Sequence, residues 1–253
     1  MVEVVSIARY IIQFIKLNEE KIALSIHMKK YTLLVCFCIP LICAAQTLKP
    51  GEILIERTKD FDLSGNGKAP EWNAATWIVL PHRDGVNKYE TKTKLLYSAT
   101  GIYGLFFCED PIITSTLKED NADLYNEDVI EIFFWPDESA PLYFEYELSP
   151  HNYELPILVP NDKGTFFGWL PWHYEGERKT RHATQITNKA WTAEFFIPYV
   201  LLKPLANVPA TKGMKWRCNF YRIDYDQGSS EWSWQLTGPN FHDFEKFGTI
   251  IFN

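Results

Sequence analysis

The chain has 253 residues, with 25 Lys and Arg against 32 Asp and Glu, and carries a formal charge of −7 at neutral pH. That acidic balance argues against nucleic acid or an anionic membrane surface as a partner, since both are held through clustered cations. Aromatic residues make up 15% of the chain and its nine tryptophans all lie beyond residue 46, enough for a large core with rings left over for recognition.

The first segment reads as a targeting signal. Met28, Lys29 and Lys30 form a basic start, residues 31–42 a short apolar run, and Cys43, Ala44 and Ala45 a cleavage site ahead of Gln46. The apolar run falls short of the roughly 20 residues that a spanning helix needs. Residues 1–27 then read as an upstream extension from a mis-assigned start. The expectation is a secreted or periplasmic protein, cut near Ala45, with 46–253 as one monomeric domain and no membrane span in the mature chain. Of the five cysteines, Cys108 and Cys218 remain after that cut. They read either as small buried side chains or as a pair in an oxidising compartment.

Beyond Gln46 no long helical periodicity occurs. Short runs rich in aromatic and β-branched residues recur between Gly, Pro, Asn and Asp. They predict strands at 53–57, 91–98, 101–109, 128–135, 143–148, 182–187, 191–197, 214–224, 230–235 and 247–252. This is the pattern of an all-β protein, a β-sandwich or jelly roll of mainly antiparallel strands. The runs 94–98 and 102–107 read as a hairpin. Residues 152–180, rich in Pro, Gly and aromatics, read as a long loop. Pro198 opens a single helical turn.

Within the strand at 128–135, Ile130, Ile132 and Phe134 share one face and must meet a core. Val129, Glu131 and Phe133 share the other, which places a carboxylate between two hydrophobes. Glu145 and Glu147 alternate with Phe144, Tyr146 and Leu148, and so face either solvent or the cleft that holds Glu131. Trp232 and Trp234 share one face of a short strand beside Glu231, a platform suited to stacking on the C–H face of a sugar. Arg222 reads either as a hydroxyl-binding guanidinium or as half of a buried ion pair. Trp72, Trp77, Trp191 and Trp216 read as core or cap residues. Asp60, Asp62, Asn66 and Glu71 form an oxygen-rich loop that suits structural calcium, or simply a turn. No other cofactor is expected. No nucleophile motif, P-loop or dinucleotide fingerprint is present.

Several segments in order resemble the family 9 carbohydrate-binding modules. They are Asp60 to Leu63 with Glu71 to Ala75, Leu124 to Phe134, Tyr143 to Pro150, Trp191 to Pro198, Trp216 to Asp224 and Phe241 to Gly248. The resemblance implies a β-sandwich that clamps a sugar, often the reducing end of a chain, between two aromatic rings. It places Tyr125 at one ring, where the family's better-known modules carry tryptophan, Glu131 at the hydroxyl-binding glutamate, and Trp232 or Trp234 at the opposing ring. It also implies that some members carry structural calcium. The expected function is non-catalytic binding of carbohydrate. The alternative is a glycan hydrolase that uses two of Asp128, Glu131, Glu145 and Glu147 across one cleft.

Overall fold

The computed structural model describes residues 13, 16–19, 21, 48–85, 88–162, 165–172, 175–203, 205–226 and 228–253. The chain divides into two units, Met1–Thr47 and Leu48–Asn253. In the first, the described residues are helical and exposed; the expected leader at 28–45 lies outside the described residues. Among the described residues, no helix is long and apolar enough to cross a membrane.

The second unit is built from strands β1 (Glu52–Arg57), β2 (Ile78–Val79), β3 (Thr91–Tyr97), β4 (Gly101–Glu109), β5 (Val129–Trp135), β6 (Leu142–Leu148), β7 (Glu154–Asp162), β8 (Thr165–Phe166), β9 (Leu170–Pro171), β10 (Arg181–Ile186), β11 (Ala190–Pro198), β12 (Lys215–Asp224), β13 (Ser230–Ser233) and β14 (Gly248–Phe252). One layer runs β10-β11-β4-β3, with β2 added on β3. The other runs β14-β12-β5-β6-β7, with β13 also on β12 and the short β8 and β9 on β7. Strand β1 belongs to both. Its first four residues pair with β14 and its last two with β3, parallel in each case. The remaining ladders are antiparallel, as the all-β expectation required.

Alternation explains the layering. Ile130, Ile132 and Phe134 of β5, Phe144, Tyr146 and Leu148 of β6, and Trp216, Cys218 and Phe220 of β12 point inward. They meet Phe106 and Cys108 of β4 and Trp191, Ala193, Phe195 and Ile197 of β11. Rings touch across the layers, Tyr146 to Phe195 at 5.2 Å and Phe106 to Phe220 at 6.5 Å. Gly104 is required where β4 passes Phe195, because a Cβ there would stand 2.0 Å from that ring. On the outer face of the first layer, Glu194 ties down the segment before β2: its carboxylate accepts from Trp72 Nε1 at 2.6 Å and from the Ser64 backbone N–H at 2.8 Å.

The ten predicted strands are all present, and the 94–107 hairpin closes with Tyr97 opposite Ile102. Four strands are additional. The largest departure is β7, nine residues long inside the expected loop and paired to β6 from Leu142↔Pro160 to Leu148↔Glu154. Pro156 and Pro160 hid it. Their carbonyls accept from Trp172 and Phe167 on the side away from β6. A strand residue points its N–H and C=O to the same side, so the missing proline N–H groups cost the β6 ladder nothing. Pro198 ends β11 and starts a hydrogen-bonded turn, with Leu201 N–H donating to Pro198 O, in place of the expected helical turn. Trp72, Trp191 and Trp216 are buried, but Trp77 is exposed, with the Lys92 and Lys94 ammonium groups at 5.1 and 4.9 Å from its ring. Cys108 and Cys218 are buried free thiols, the plainer of the two expectations.

Candidate functional site

The outward face of the second layer is covered but not dry. Val129, Phe133, Tyr143, Leu155, Ile157 and Tyr221 pack beneath loops from three parts of the chain. Glu131, Glu145 and Glu147 sit among them. Glu131 lies directly opposite Glu147 across β5 and β6, and Phe133 opposite Glu145. Residues so paired hold their Cβ atoms about 5 Å apart. The three carboxylates therefore form one floor, set in a cavity of about 380 Å³, a size that suits a small ligand. Tyr125, Trp169, Tyr225, Phe241 and His242 wall it, with Glu231 at its edge.

The sequence around β5 builds one wall. The turn Leu124–Asn126 delivers Tyr125 to the cavity just ahead of the strand. Glu127 and Asp128 then act as loop clamps. Glu127 accepts from the Thr116 hydroxyl at 2.5 Å and from Leu117 N–H at 2.9 Å. Asp128 accepts from Thr114 N–H at 2.5 Å and from Tyr225 N–H at 2.8 Å. The Tyr225 hydroxyl in turn donates to Tyr125 O at 2.9 Å, so the two tyrosines are fixed as a unit. Asp128 thus spends its carboxylate on backbone and does not enter the cavity.

The opposite wall is the loop before β14. Phe241 stacks on Tyr221 at 4.1 Å, with the rings 6° from parallel. Tyr221 OH donates to Phe241 O at 2.8 Å. Arg83 fixes the same loop from outside. Its guanidinium donates to Thr237 Oγ1 at 3.0 Å and Gly238 O at 2.6 Å, lies 4.8 Å from the Phe241 ring centre, and pairs with Glu231 at 3.0 Å. His242 stacks between Phe166 at 4.2 Å and Phe133 at 5.6 Å, and its Nδ1 meets the Tyr143 hydroxyl at 2.5 Å. Burial pushes the imidazole down to about 4, so it is neutral at pH 7.

The floor groups three carboxyls that burial and mutual repulsion hold toward the protonated form, opposed at Glu131 by Arg83. Burial first, then the neighbouring Glu145 and Glu231, hold Glu131 well above the usual carboxylate range. Burial pushes Glu145 up to about 8. Glu147 is raised by burial and then by Glu131 and Glu145. It is fully buried, and neither of its oxygens has a hydrogen-bond donor at bonding geometry; the Tyr125 backbone N–H and the Glu145 carboxyl are its polar neighbours.

The other expected site residues lie elsewhere. Trp232 is 1% exposed in the sandwich core, opposite Arg222 on β12, with the guanidinium 4.6 Å from its ring centre. Trp234 packs on the same core, stacked on Phe220 at 5.3 Å. A Cβ on Gly248 would stand 2.3 Å from the Trp234 ring, which is why the chain reads Phe247-Gly248 there. Neither tryptophan borders the cavity. Arg222 is fully buried and donates to Asp110 at 3.0 Å and Asp224 at 2.5 Å, the buried-pair reading rather than a ligand contact. A second depression of about 730 Å³ over Trp232 is larger but holds neither the carboxylate floor nor the paired rings.

The two carboxylates of the Asp60–Asp62 loop are held differently. Asp60 Oδ1 accepts from Thr100 Oγ1 at 2.8 Å and Tyr103 OH at 3.1 Å, while Asp62 points to solvent. Among the described residues, Asp110, Asp224 and Asp226 place ligand atoms within 4.8 Å of one another, a hard-oxygen set. Arg222 already supplies the positive charge to two of the three, so this set fits a guanidinium better than a calcium ion.

A family model described as "Carbohydrate family 9 binding domain-like" matches residues 63–253. The chain belongs to this family. A family 9 module from Caldicellulosiruptor kristjanssonii, solved with cellotriose and with glucose, superposes with TM-scores of 0.60 and 0.59 at 16% identity, over 80% of this chain and 93% and 95% of the module. A protein from Bacteroides uniformis ATCC 8492, proposed to bind carbohydrate, gives a TM-score of 0.66 at 16% identity over 80% of this chain and 99% of that one. At such identity these likenesses establish the sandwich fold. A curated relative named "Extracellular protein", from Arthroderma benhamiae (strain ATCC MYA-4681 / CBS 112371), is 25% identical over 162 residues, 60% of this chain and 71% of the relative. Within the family 9 fold, the two residues expected at the sugar, Tyr125 and Glu131, share one cavity, and of the two sides open to Glu145 and Glu147 the structure takes that of the cleft. Sequence reasoning missed Phe241, Tyr225 and Arg83. The local signal for Phe241 was its place directly after Gly238, Pro239 and Asn240, a turn that exposes the next side chain.

Proposed function

We propose that the protein binds carbohydrate without cleaving it, seating a terminal sugar between Tyr125 and Phe241 with its hydroxyls on Glu131. One observation carries this reading: a carboxylate floor walled by aromatic rings in a cavity of about 380 Å³. Sugar C–H faces stack on rings while hydroxyls hydrogen-bond to the carboxyl groups, each such bond contributing about 0.5–1.5 kcal/mol. The cellotriose and glucose complexes of the Caldicellulosiruptor module support it by family. Hydrolysis needs two carboxyl groups on opposite sides of a bond. Here Glu131, Glu145 and Glu147 rise from one floor on adjacent strands, and Asp128 is committed to backbone. The apolar leader and the extracellular fungal relative support export from the cytoplasm.

Calorimetric titration with gluco-, xylo- and galacto-oligosaccharides, with free and borohydride-reduced ends, tests the reading. Saturable binding with the glycan intact by chromatography is expected, with loss of affinity on end reduction if the clamp takes reducing ends. Cleavage of any of these glycans would overturn it.

A further inference from the structure

The floor is built for more positive charge than a neutral sugar brings. Glu131, Glu145 and Glu147 share it, and Glu231 stands at its edge. Arg83 is the nearby cation, and it is committed to Glu231, Thr237 and Gly238. Among the described residues, the remaining ionisable groups that face the floor are His242, Tyr125, Tyr143, Tyr221 and Tyr225, with Asp123 beside Tyr125. None of these is a cation at neutral pH; His242 is held neutral by burial. Glu147 is fully buried with no donor at bonding geometry on either oxygen, its polar neighbours being the Glu145 carboxyl and the Tyr125 N–H, and Glu145 Oε2 has only His242 Nδ1 at 3.9 Å. A buried carboxyl oxygen left without a donor costs about 1–3 kcal/mol, and more once the group ionises. A fold tolerates that cost where a ligand supplies the missing donor. Rings around such a floor attract a cation as well, through their negative faces.

We propose that the sugar this pocket prefers is an amino sugar with a free ammonium group, a hexosamine whose nitrogen docks among Glu131, Glu145 and Glu147 while its ring lies between Tyr125 and Phe241. This rests on the carbohydrate-binding reading and names its substrate class. The ammonium provides three N–H donors and a full positive charge to acceptors that a hydroxyl fills only in part. An N-acetyl group removes the charge, leaves one N–H and adds bulk, so acetylated sugars lose the advantage. The same contact is available to a free hexosamine and to the end of a de-N-acetylated oligosaccharide.

The experiment is calorimetric titration at pH 7 with glucose, glucosamine, N-acetylglucosamine, cellobiose, a fully de-N-acetylated disaccharide of glucosamine, and tetramethylammonium chloride. Each is run in two buffers of different ionisation enthalpy. Glucosamine and its disaccharide are expected to bind at least about tenfold tighter than glucose and cellobiose, the effect of one added charged contact. Their binding releases protons from the floor carboxyls, whereas glucose releases few. Glu147→Gln keeps the shape, removes a group that can ionise on binding, and is expected to abolish most of the preference and of the proton release. Disaccharide affinity well above that of glucosamine would place the site at a chain end; equal affinity would assign it to the single residue.

Equal affinity for glucose and glucosamine would overturn the proposal and leave the carbohydrate reading standing. Tetramethylammonium binding as tightly as glucosamine would overturn the sugar part of it. An unchanged preference in Glu147→Gln would overturn the placement of the nitrogen. Binding of none of the six would overturn this proposal, and binding of other neutral glycans would then decide the broader reading separately.

Discussion

Two acid clusters lie on opposite faces of β12, one residue out of step. Arg222 and Asp224 point into the sandwich, where the guanidinium meets Asp110 and Asp224 and lies under Trp232. Tyr221 and Ile223 point outward, toward the floor of Glu131, Glu145 and Glu147. Both clusters are buried. The inner one contains its own counter-charge and does a structural job; the outer one does not and opens onto a cavity. Burial alone therefore does not mark a functional carboxylate. What marks it here is a group of buried carboxyls that share no cation and open onto a cavity.

The severest test of this contrast is to remove the inner cation. Arg222→Met strands Asp110 and Asp224 and is expected to cost about 3–5 kcal/mol by denaturant unfolding. A loss below about 1 kcal/mol would mean that the inner cluster is no more compensated than the outer. The outer cluster should respond with the opposite sign. Glu147→Gln relieves repulsion and gives Glu131 and Glu145 an amide donor, so it is expected to stabilise by about 1–3 kcal/mol at pH 8.

The pH dependence stems from the same difference. Folded Glu145 keeps its proton up to about 8, against an ordinary value of 4.5. Between those values the folded state holds protons that the unfolded state has released, so stability falls as pH rises from about 4.5 through 8. Burial, opposed by Arg222, lifts Asp110 to about 7, and burial lifts Asp128 to about 6, which adds to the same slope. His242 works the other way, losing stability as pH falls from about 6.5 toward 4. Thermal melts should therefore peak on the acid side of neutrality, with a descending alkaline limb that is flatter in Glu147→Gln. An alkaline limb as steep in the variant as in the parent would take Glu147 out of the shared floor.

A smaller effect belongs to the wall. Phe241→Ala removes the ring stacked on Tyr221 and is expected to weaken sugar binding about tenfold for about 1 kcal/mol of stability. Smallest of all is the thiol test. Cys108 and Cys218 should resist a thiol reagent in the folded protein, react with it after unfolding, and leave the melting temperature unmoved by reductant.

The strands were legible because alternation and turn residues are local signals. Strand β7 was not, because only its place at the side of β6 makes two prolines harmless. The site was half legible for a related reason. Alternation says which residues share a face but not which face is the core. At β13 and the residue after it, alternation correctly grouped Trp232 with Trp234, and the side was wrong: those rings face inward, and Glu231, just before Trp232, reaches the cavity. Arg222 obeys the same parity. Glu131 was readable because β5 carries three apolar partners on its inner face, which leaves the other side no choice. Phe241 sits on a loop, placed by Arg83 from more than 150 residues away, and no local pattern announces such a partner.

Strand β1 pairs with β3 through Glu56 and Arg57 and with β14 through Glu52 to Ile55, where Ile55 faces Phe252. The staple that joins the two layers is itself held by residues near the far end of the domain. The order in which this chain is synthesised therefore cannot be the order in which it folds. Until Gly248 to Phe252 arrive, β1 has one short neighbour of two residues and the layers have no shared strand. A translating or translocating chain would stay open and prone to pair wrongly until that stretch emerges, and then close across the whole sequence at once.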